Sequence, residues 1–187
     1  MQSNRNPVQG GSGAAAVAPK AAVQHVLTHC KTTSEFCSTL AKLFGVRLSE
    51  VAVMRLENGL LKFVLPEELK TAGAIPVSSS SAIAARTAST KKAEVFNNFS
   101  KVQHARVFEA VKLICPEDSE KHEHSQIQKL MSAPVLDGQR KVLGVIQICR
   151  KGFDVGSAGP DFTASDMEQL GMAATAVTEL GILTLDN

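Results

Sequence analysis

The chain has 187 residues, 44% of them hydrophobic and 20% charged, which is enough for one globular domain with a substantial core and a tail. Its 20 Lys and Arg residues nearly balance 18 Asp and Glu residues, which argues against a dedicated nucleic-acid-binding protein because phosphate binding needs a concentrated basic surface. With no Trp and no Tyr, a base-stacking surface would have to be built from the 8 Phe alone, which also weakens a nucleic-acid-binding interpretation.

The four cysteines, Cys30, Cys37, Cys115 and Cys149, show no Cys-x-x-Cys pairing. Since the sequence contains no signal-peptide or membrane-spanning pattern, we expect a cytoplasmic protein with free thiols. Cys30 and Cys37 are seven positions apart on one predicted helical face. At a rise of about 1.5 Å per residue they lie too far apart for a disulfide.

The first 19 residues are rich in Gly, Ala, Asn, Gln and Pro without periodicity, which predicts a flexible tail over 1–19 and a domain over 20–187. From Lys20, apolar residues recur at helical spacing as far as Gly45, a typical helix C-cap. The cluster Thr32-Thr33-Ser34 leaves open whether this is one helix or two, with Thr33 or Ser34 capping the second.

Two hairpins are predicted. Residues 51–56 and the segment LLKFVL flank Asn58-Gly59, a dipeptide typical of a two-residue hairpin turn. The segments IQKLMSAPVL and VLGVIQICR are joined through Asp137-Gly138.

Between the hairpins we expect a loop over 66–77, a short helix over 81–88 and a short strand at AEVFN. The last helix begins with Thr163 as N-cap and Asp166 three residues later. This order predicts an α+β fold with an antiparallel sheet, because each strand pair is a hairpin or is too closely spaced for a crossover.

Three segments carry a resemblance to the GAF family: SSAIAARTASTKKAEVFNNFS, MSAPVLDGQRKVLGVIQICRK and DFTASDMEQLGMAATAV. They are similar to its small helix and following strand, its central hairpin and its closing helix. The resemblance implies a central antiparallel sheet of five or six strands, with the terminal helices on one face and short helices and loops over the other. Family members bind diverse small molecules under these loops or bind nothing, and many dimerise through the terminal helices.

Cyclic-nucleotide-binding members of the family share Asn-Lys, then Phe, three residues and Asp-Glu. Lys151, Phe162 and Asp166 match this pattern, whereas Arg150 and Met167 depart from it. The departures argue against cyclic-nucleotide binding, and the matching residues imply a structural contact between Lys151 and Asp166.

The candidate pocket lies between the short strand at AEVFN and the connection over residues 100–125, which we expect to face each other. Its candidate ligand-binding residues are Phe96, Asn98, Phe99, His104, Phe108, Met131 and Ala133. We expect Asn98 and His104 to orient a ligand, because pockets combine an apolar lining with a few hydrogen-bonding groups. The alternative is that the aromatic residues and Met131 fill the core and leave no cavity.

Two further parts of the sequence are candidate sites, the His122/His124 pair and Cys115. His122 and His124 could form half of a metal site in an extended segment, with Cys115 or His104 adding ligands, but the surrounding charges favour a solvated loop, and no metal site is predicted. One GAF branch reduces free methionine sulfoxide with cysteines near the pocket. Cys115 matches these cysteines loosely and has no resolving partner at a recognisable spacing, so no catalytic residue is predicted.

The sequence therefore predicts a non-catalytic signalling module that binds a small molecule above the sheet, dimerises through its terminal helices, or both, and acts on a partner in trans. A ligand-free interaction scaffold is the alternative, and a thiol-dependent methionine sulfoxide reductase is a remote one. The sequence identifies neither ligand nor cofactor, and we expect neither nucleic acid nor a membrane as partner.

Overall fold

The structure, a computed structural model, describes residues 20–65, 67–71, 73–99 and 126–184. Within these ranges the chain forms the following helices and strands: α1 (Lys20–Thr28), α2 (Thr33–Phe44), β1 (Val51–Glu57), β2 (Leu60–Leu65), β3 (Ala74–Pro76), α3 (Ile83–Thr90), β4 (Glu94–Phe96), β5 (Gln126–Leu136), β6 (Val142–Gly152) and α4 (Ala164–Glu179). Short 3₁₀ turns cover Leu48–Glu50 and Glu67–Leu69. The tail predicted for 1–19 lies outside the described residues.

The described strands form one sheet in the order β3-β2-β1-β6-β5-β4, and every neighbouring pair is antiparallel. The two predicted hairpins, β1–β2 and β5–β6, therefore lie side by side through the β1–β6 pairing. This confirms the predicted α+β fold. The loop predicted over 66–77 was incomplete, because it contains the edge strand β3. Its Pro76 has no N–H to donate and is tolerated only at such an edge.

The helical segment after Lys20 is two helices. The Thr32 side chain accepts a hydrogen bond from the Glu35 N–H at 3.1 Å and so caps α2, one residue earlier than the sequence suggested. Gly45 ends α2 with φ of 58°, in the left-handed region that glycine adopts without strain. Cys30 follows α1 and Cys37 lies in α2, so the predicted single helical face was wrong. Both thiols are buried and free.

The sheet carries a different layer on each face. On one, which we call the helix face, α1, α2 and α4 pack on a core that includes Val53, Ile146 and Ile148. On the other, the α3 face, α3 packs against a smaller cluster around Met54 and Val145. The terminal helices thus share one side of the sheet, as predicted. In the part of the chain that the structure describes, no helix combines the length and apolar character needed to cross a bilayer.

Candidate functional site

The short edge strand β4 and the residues that follow it bring two of the predicted aromatic residues, Phe96 and Phe99, to the α3 face. Phe96 pairs with Leu130 of β5, and both contribute to an apolar cluster with Ile83, Phe99 and Cys149. The rings of Phe96 and Phe99 meet edge to face with centroids 6.2 Å apart. These side chains form an apolar floor beside the N-terminal end of α3.

Met131 and Ala133 lie on the opposite side of the sheet from this floor. Both are buried in the core beneath α1, α2 and α4. Successive side chains of a strand alternate between faces, so Met131 shares its side with its partner Val95, whereas Leu130 shares its side with Phe96. The expectation that Met131 and Ala133 line the pocket was therefore wrong. The α3-face positions of this strand belong to Leu130 and Ser132.

The remaining predicted site residues are only partly placed. Asn98 is half-buried next to Phe99. The neighbouring Asn97 has a defined role, because its side chain donates to the carbonyl of Phe162 at 2.9 Å and accepts from the Phe162 N–H at 2.8 Å. Five further candidates lie outside the described residues: His104, Phe108, Cys115, His122 and His124.

A buried polar group adjoins the apolar floor. The hydroxyls of Thr87 and Ser132 are 2.7 Å apart, and the Gln147 side-chain amide donates to the Ser132 hydroxyl at 3.1 Å. All three side chains are buried. Leu130 pairs with Cys149, and two residues further along the same strands Ser132 pairs with Gln147. One sheet face therefore presents an apolar pair and a polar pair side by side.

Sequence reasoning missed this polar group. Ser132 and Gln147 interrupt the apolar segments LMSAPVL and GVIQIC, and an isolated polar residue inside a buried strand normally needs a hydrogen-bond partner there. These two interruptions are the sequence feature that could have indicated a buried polar group. The partner Thr87 comes from α3 and is visible only in the fold.

Arg86 lies at the edge of the apolar floor, next to Phe96. Its Nε donates to the Glu94 carboxylate at 2.9 Å, and its guanidinium carbon lies 5.3 Å from the centre of the Phe96 ring. This cation–π geometry holds a positive charge over the outer end of the apolar cluster.

Cys149 is the described thiol closest to this site. Burial raises the pKa of the Cys149 thiol to about 12, against a smaller opposing effect of the nearby Lys151 charge. Because the thiolate is the reactive form of cysteine, Cys149 is suited to packing and not to nucleophilic chemistry at neutral pH.

The residues matching the cyclic-nucleotide pattern have local structural roles. The Asp166 carboxylate accepts from the N–H and the hydroxyl of Thr163 at 2.6 and 2.8 Å, completing the predicted capping box of α4. The Lys151 ammonium donates to the Ser49 carbonyl at 3.4 Å. The Phe162 ring lies under the Arg150 guanidinium at 4.8 Å.

Comparison with known proteins identifies the family of this fold. The GAF domain model matches residues 31–179, and the chain belongs to the GAF domain family. GAF domains are commonly sensory or signalling modules. None of the curated proteins matches the chain.

Several solved structures share the fold at low sequence identity. The GAF domain of an Acinetobacter phosphoenolpyruvate-protein phosphotransferase aligns at 13% identity with a TM-score of 0.58, covering 88% of this chain and 89% of that one. The nlh2 GAF domain of A. aeolicus in an inactive state aligns at 16% identity with a TM-score of 0.55, covering 87% of this chain and 92% of that one. Reduced fRMsr of Staphylococcus aureus aligns at 14% identity with a TM-score of 0.52, covering 86% of this chain and 94% of that one. At such identities the likeness concerns the fold alone.

Proposed function

We propose that this chain is a signalling module that binds a small molecule against the α3 face of its sheet and acts on a partner in trans. The observation that carries the proposal is the adjacency of the apolar pair Leu130–Cys149 and the polar pair Ser132–Gln147 on that face. Small-molecule sites combine a mostly apolar lining with a few placed hydrogen-bonding groups. The proposed ligand has an apolar portion for the floor at Phe96 and a polar group that meets Arg86 at the edge of this floor.

The site is joined to α4 by two hydrogen bonds. Asn97 follows the floor residue Phe96 and binds both backbone polar groups of Phe162. Phe162 precedes Thr163, the N-cap of α4. A ligand that displaces the end of β4 thus moves the first residues of α4. Since α4 packs beside α1, this displacement is the route by which we expect binding to reach the terminal helices.

The proposed output surface is formed by the outer sides of α1 and α4, through which two copies of the chain dimerise. Val26 on α1 is 53% exposed, and Gly171 and Thr175 are exposed on α4. The Gln24 amide donates to the Glu179 carboxylate at 3.3 Å, so the two helices present one continuous surface.

Ligand binding is tested by thermal-shift screening of nucleotides, amino acids and small metabolites, followed by backbone NMR of the protein with any stabilising compound. Phe96→Ala should weaken binding at least about tenfold, since it removes the aromatic part of the floor. Val95→Ala is the matched control, because Val95 is the adjacent residue on the other face. Equal effects of the two substitutions, or shifts confined to α1 and α4, would refute a site on the α3 face.

The coupling to α4 has its own test. Asn97→Ala should leave most of the ligand affinity intact and should abolish the ligand-induced NMR shifts of α4, because it removes both bonds to Phe162. Unchanged shifts in α4 would mean that the signal does not pass through Asn97.

Dimerisation is tested by light scattering on two variants. Val26→Glu should yield monomers, since it places a charge on the proposed interface. Leu48→Glu is the control, because Leu48 is similarly exposed at 51% but lies in the 3₁₀ turn before β1. A wild-type chain that stays monomeric at high micromolar concentration removes this part of the proposal.

An interaction scaffold without a ligand is the second candidate, favoured by the exposed Val26 surface alone. Dimers of unchanged stability in the presence of every screened compound would support it. The methionine sulfoxide reductase alternative requires a reactive thiol, and the raised pKa of Cys149 speaks against that residue. If the reductase alternative holds, Cys115→Ser abolishes turnover of free methionine sulfoxide, and an inactive wild-type chain excludes it.

A further inference from the structure

Two histidines lie at the C-terminal end of α1, His25 in its last turn and His29 directly after its last residue. His25 and His29 are four residues apart and both are exposed. Their rings are stacked, with centroids 3.9 Å apart and an interplanar angle of 23°. Side chains at this spacing lie on one side of a helix, one turn apart.

The ring of His29 has a fixed orientation. Its Nδ1 lies 2.7 Å from the carbonyl oxygen of His25. A carbonyl oxygen can only accept, so Nδ1 carries the proton, and in the neutral ring the free lone pair is on Nε2. Histidines that bind metals commonly donate the second ring N–H to a backbone carbonyl in this way, which sets the tautomer and raises the basicity of the ligating nitrogen.

The location also favours a cation. α1 ends at Thr28, so the carbonyl that His29 engages belongs to the last turn of the helix. The C-terminal end of a helix carries a partial negative charge, which stabilises positive charge in the final turn.

We propose that His25 and His29 form a two-imidazole binding site for a divalent transition-metal ion such as Zn²⁺ or Cu²⁺. Imidazole nitrogen suits these ions, and they bind it more tightly than Mn²⁺ or Fe²⁺ do. Metal–nitrogen distances of about 2.0–2.1 Å require the two nitrogens to converge from the stacked arrangement. In the proposed site the exposed His25 ring rotates toward Nε2 of His29, while His29 keeps its bond to the His25 carbonyl.

The coordination is open. Among residues 20–65, 67–71, 73–99 and 126–184, no group of three or more His, Cys, Asp or Glu side chains is arranged around a common point. Water therefore completes the coordination shell, and the ion is exchangeable. When bound, it links two successive turns at the end of α1, the helix that contacts α4 through Gln24. This site is independent of the proposed ligand site on the α3 face.

The test is calorimetric titration of the untagged full chain with Zn²⁺, comparing the wild type with two double variants. His25→Ala/His29→Ala removes the proposed site. His122→Ala/His124→Ala removes the same number of histidines from the other candidate half-site of the sequence. Outer-shell changes alone commonly weaken a metal site by about 10–100-fold. We therefore expect at least a tenfold loss in the first variant and wild-type affinity in the second.

The outcome separates the two histidine pairs. Equal losses in both variants, a loss only in the His122/His124 variant, or no binding by the wild type would overturn the proposal. If His25→Ala/His29→Ala proves unfolded by circular dichroism, the single variant His25→Gln replaces it. Histidine ring NMR signals provide a second readout, and Zn²⁺ should shift those of His25 and His29 first.

Discussion

Lys129 and Asp161 form an ion pair between a buried and an exposed side chain. The Lys129 ammonium lies 2.7 Å from the Asp161 carboxylate, although the lysine side chain is 4% exposed and the aspartate side chain 66%. The ammonium also donates to the carbonyl of Gly159 at 2.6 Å. The pair fastens the loop before α4 to the helix face of β5.

Removing the acid should cost more than removing the base. Asp161→Ala leaves a buried ammonium without its counter-ion and should lower the free energy of unfolding by about 1–2 kcal/mol, whereas Lys129→Met should be close to neutral. Denaturant unfolding measures both. Glu67→Ala is the control, since its pair with Lys70 is exposed on both sides and should contribute less than about 0.5 kcal/mol. The reverse order of Lys129→Met and Asp161→Ala would contradict this account.

Glu50 should make stability depend on pH. Burial alone would raise the pKa of this carboxyl, but hydrogen bonds from the side chain and N–H of Arg47 and from the Lys151 N–H outweigh it and hold the pKa below its ordinary value. A depressed pKa in the folded state contributes stability above the unfolded-state pKa, and this stability is lost as the pH falls through the folded-state pKa.

Glu50→Gln should therefore lower the free energy of unfolding by about 1–3 kcal/mol at neutral pH. The difference from wild type should shrink below about pH 4, where the unfolded-state carboxyl is protonated. Urea unfolding at several pH values measures it. A difference that stays constant with pH would show that the ionised carboxylate is not the source of the stability.

Gly144 permits the close approach of β6 and β1. A Cβ at this position would clash with the Met54 carbonyl oxygen and come within 2.6 Å of the Leu183 side chain. Gly144→Ala should therefore cost about 3 kcal/mol or more, because backbone cannot move away as a flexible side chain can.

Gly171 is the matched control for Gly144. An added Cβ there meets nothing within 4 Å, and Gly171 lies inside α4. Gly171→Ala should raise the free energy of unfolding by about 0.5–1 kcal/mol through helix propensity. Thermal unfolding of the dilute, monomeric chain compares the two substitutions. A destabilising Gly171→Ala would show that the surface of α4 at this position packs against another part of the chain.

The buried polar group under α3 should be sensitive to loss of its central hydroxyl. Ser132→Ala deprives both Thr87 and Gln147 of a partner and should cost about 1–3 kcal/mol. Ser89→Ala, on the exposed side of the same helix, removes one solvent-exposed hydrogen bond to the Val77 carbonyl and should change stability by no more than about 0.5 kcal/mol. Equal effects would mean that the Ser132 hydroxyl is replaced by other contacts.

The elements that sequence predicts here are those fixed by local chemistry. Asn58 and Gly59 both have positive φ, of 50° and 77°, as the two-residue turn between β1 and β2 requires. Thr163 and Asp166 form the capping box that their spacing indicates. In both places the determining residues are neighbours in the chain, so no knowledge of the fold is needed.

The orientation of β5 could not be predicted in the same way. Residues 128–133 of this strand are all buried, and helices pack on both faces of the sheet. A strand buried on both sides shows no alternation of polar and apolar residues. Sequence alone therefore does not reveal that Leu130 faces α3 while Met131 faces α4. The burial of Lys129 could not be predicted either, because its counter-ion Asp161 lies in a loop that is distant in the sequence.

Gln24 and Glu179 are bonded although 155 positions separate them. The first and the last helix of the described residues consequently meet at one place on the surface. Domains with adjacent ends tolerate insertion into a loop of a host protein and circular permutation. A short bridge between these ends, with new termini opened at the Asn58-Gly59 turn, should give a rearranged chain that keeps the same sheet.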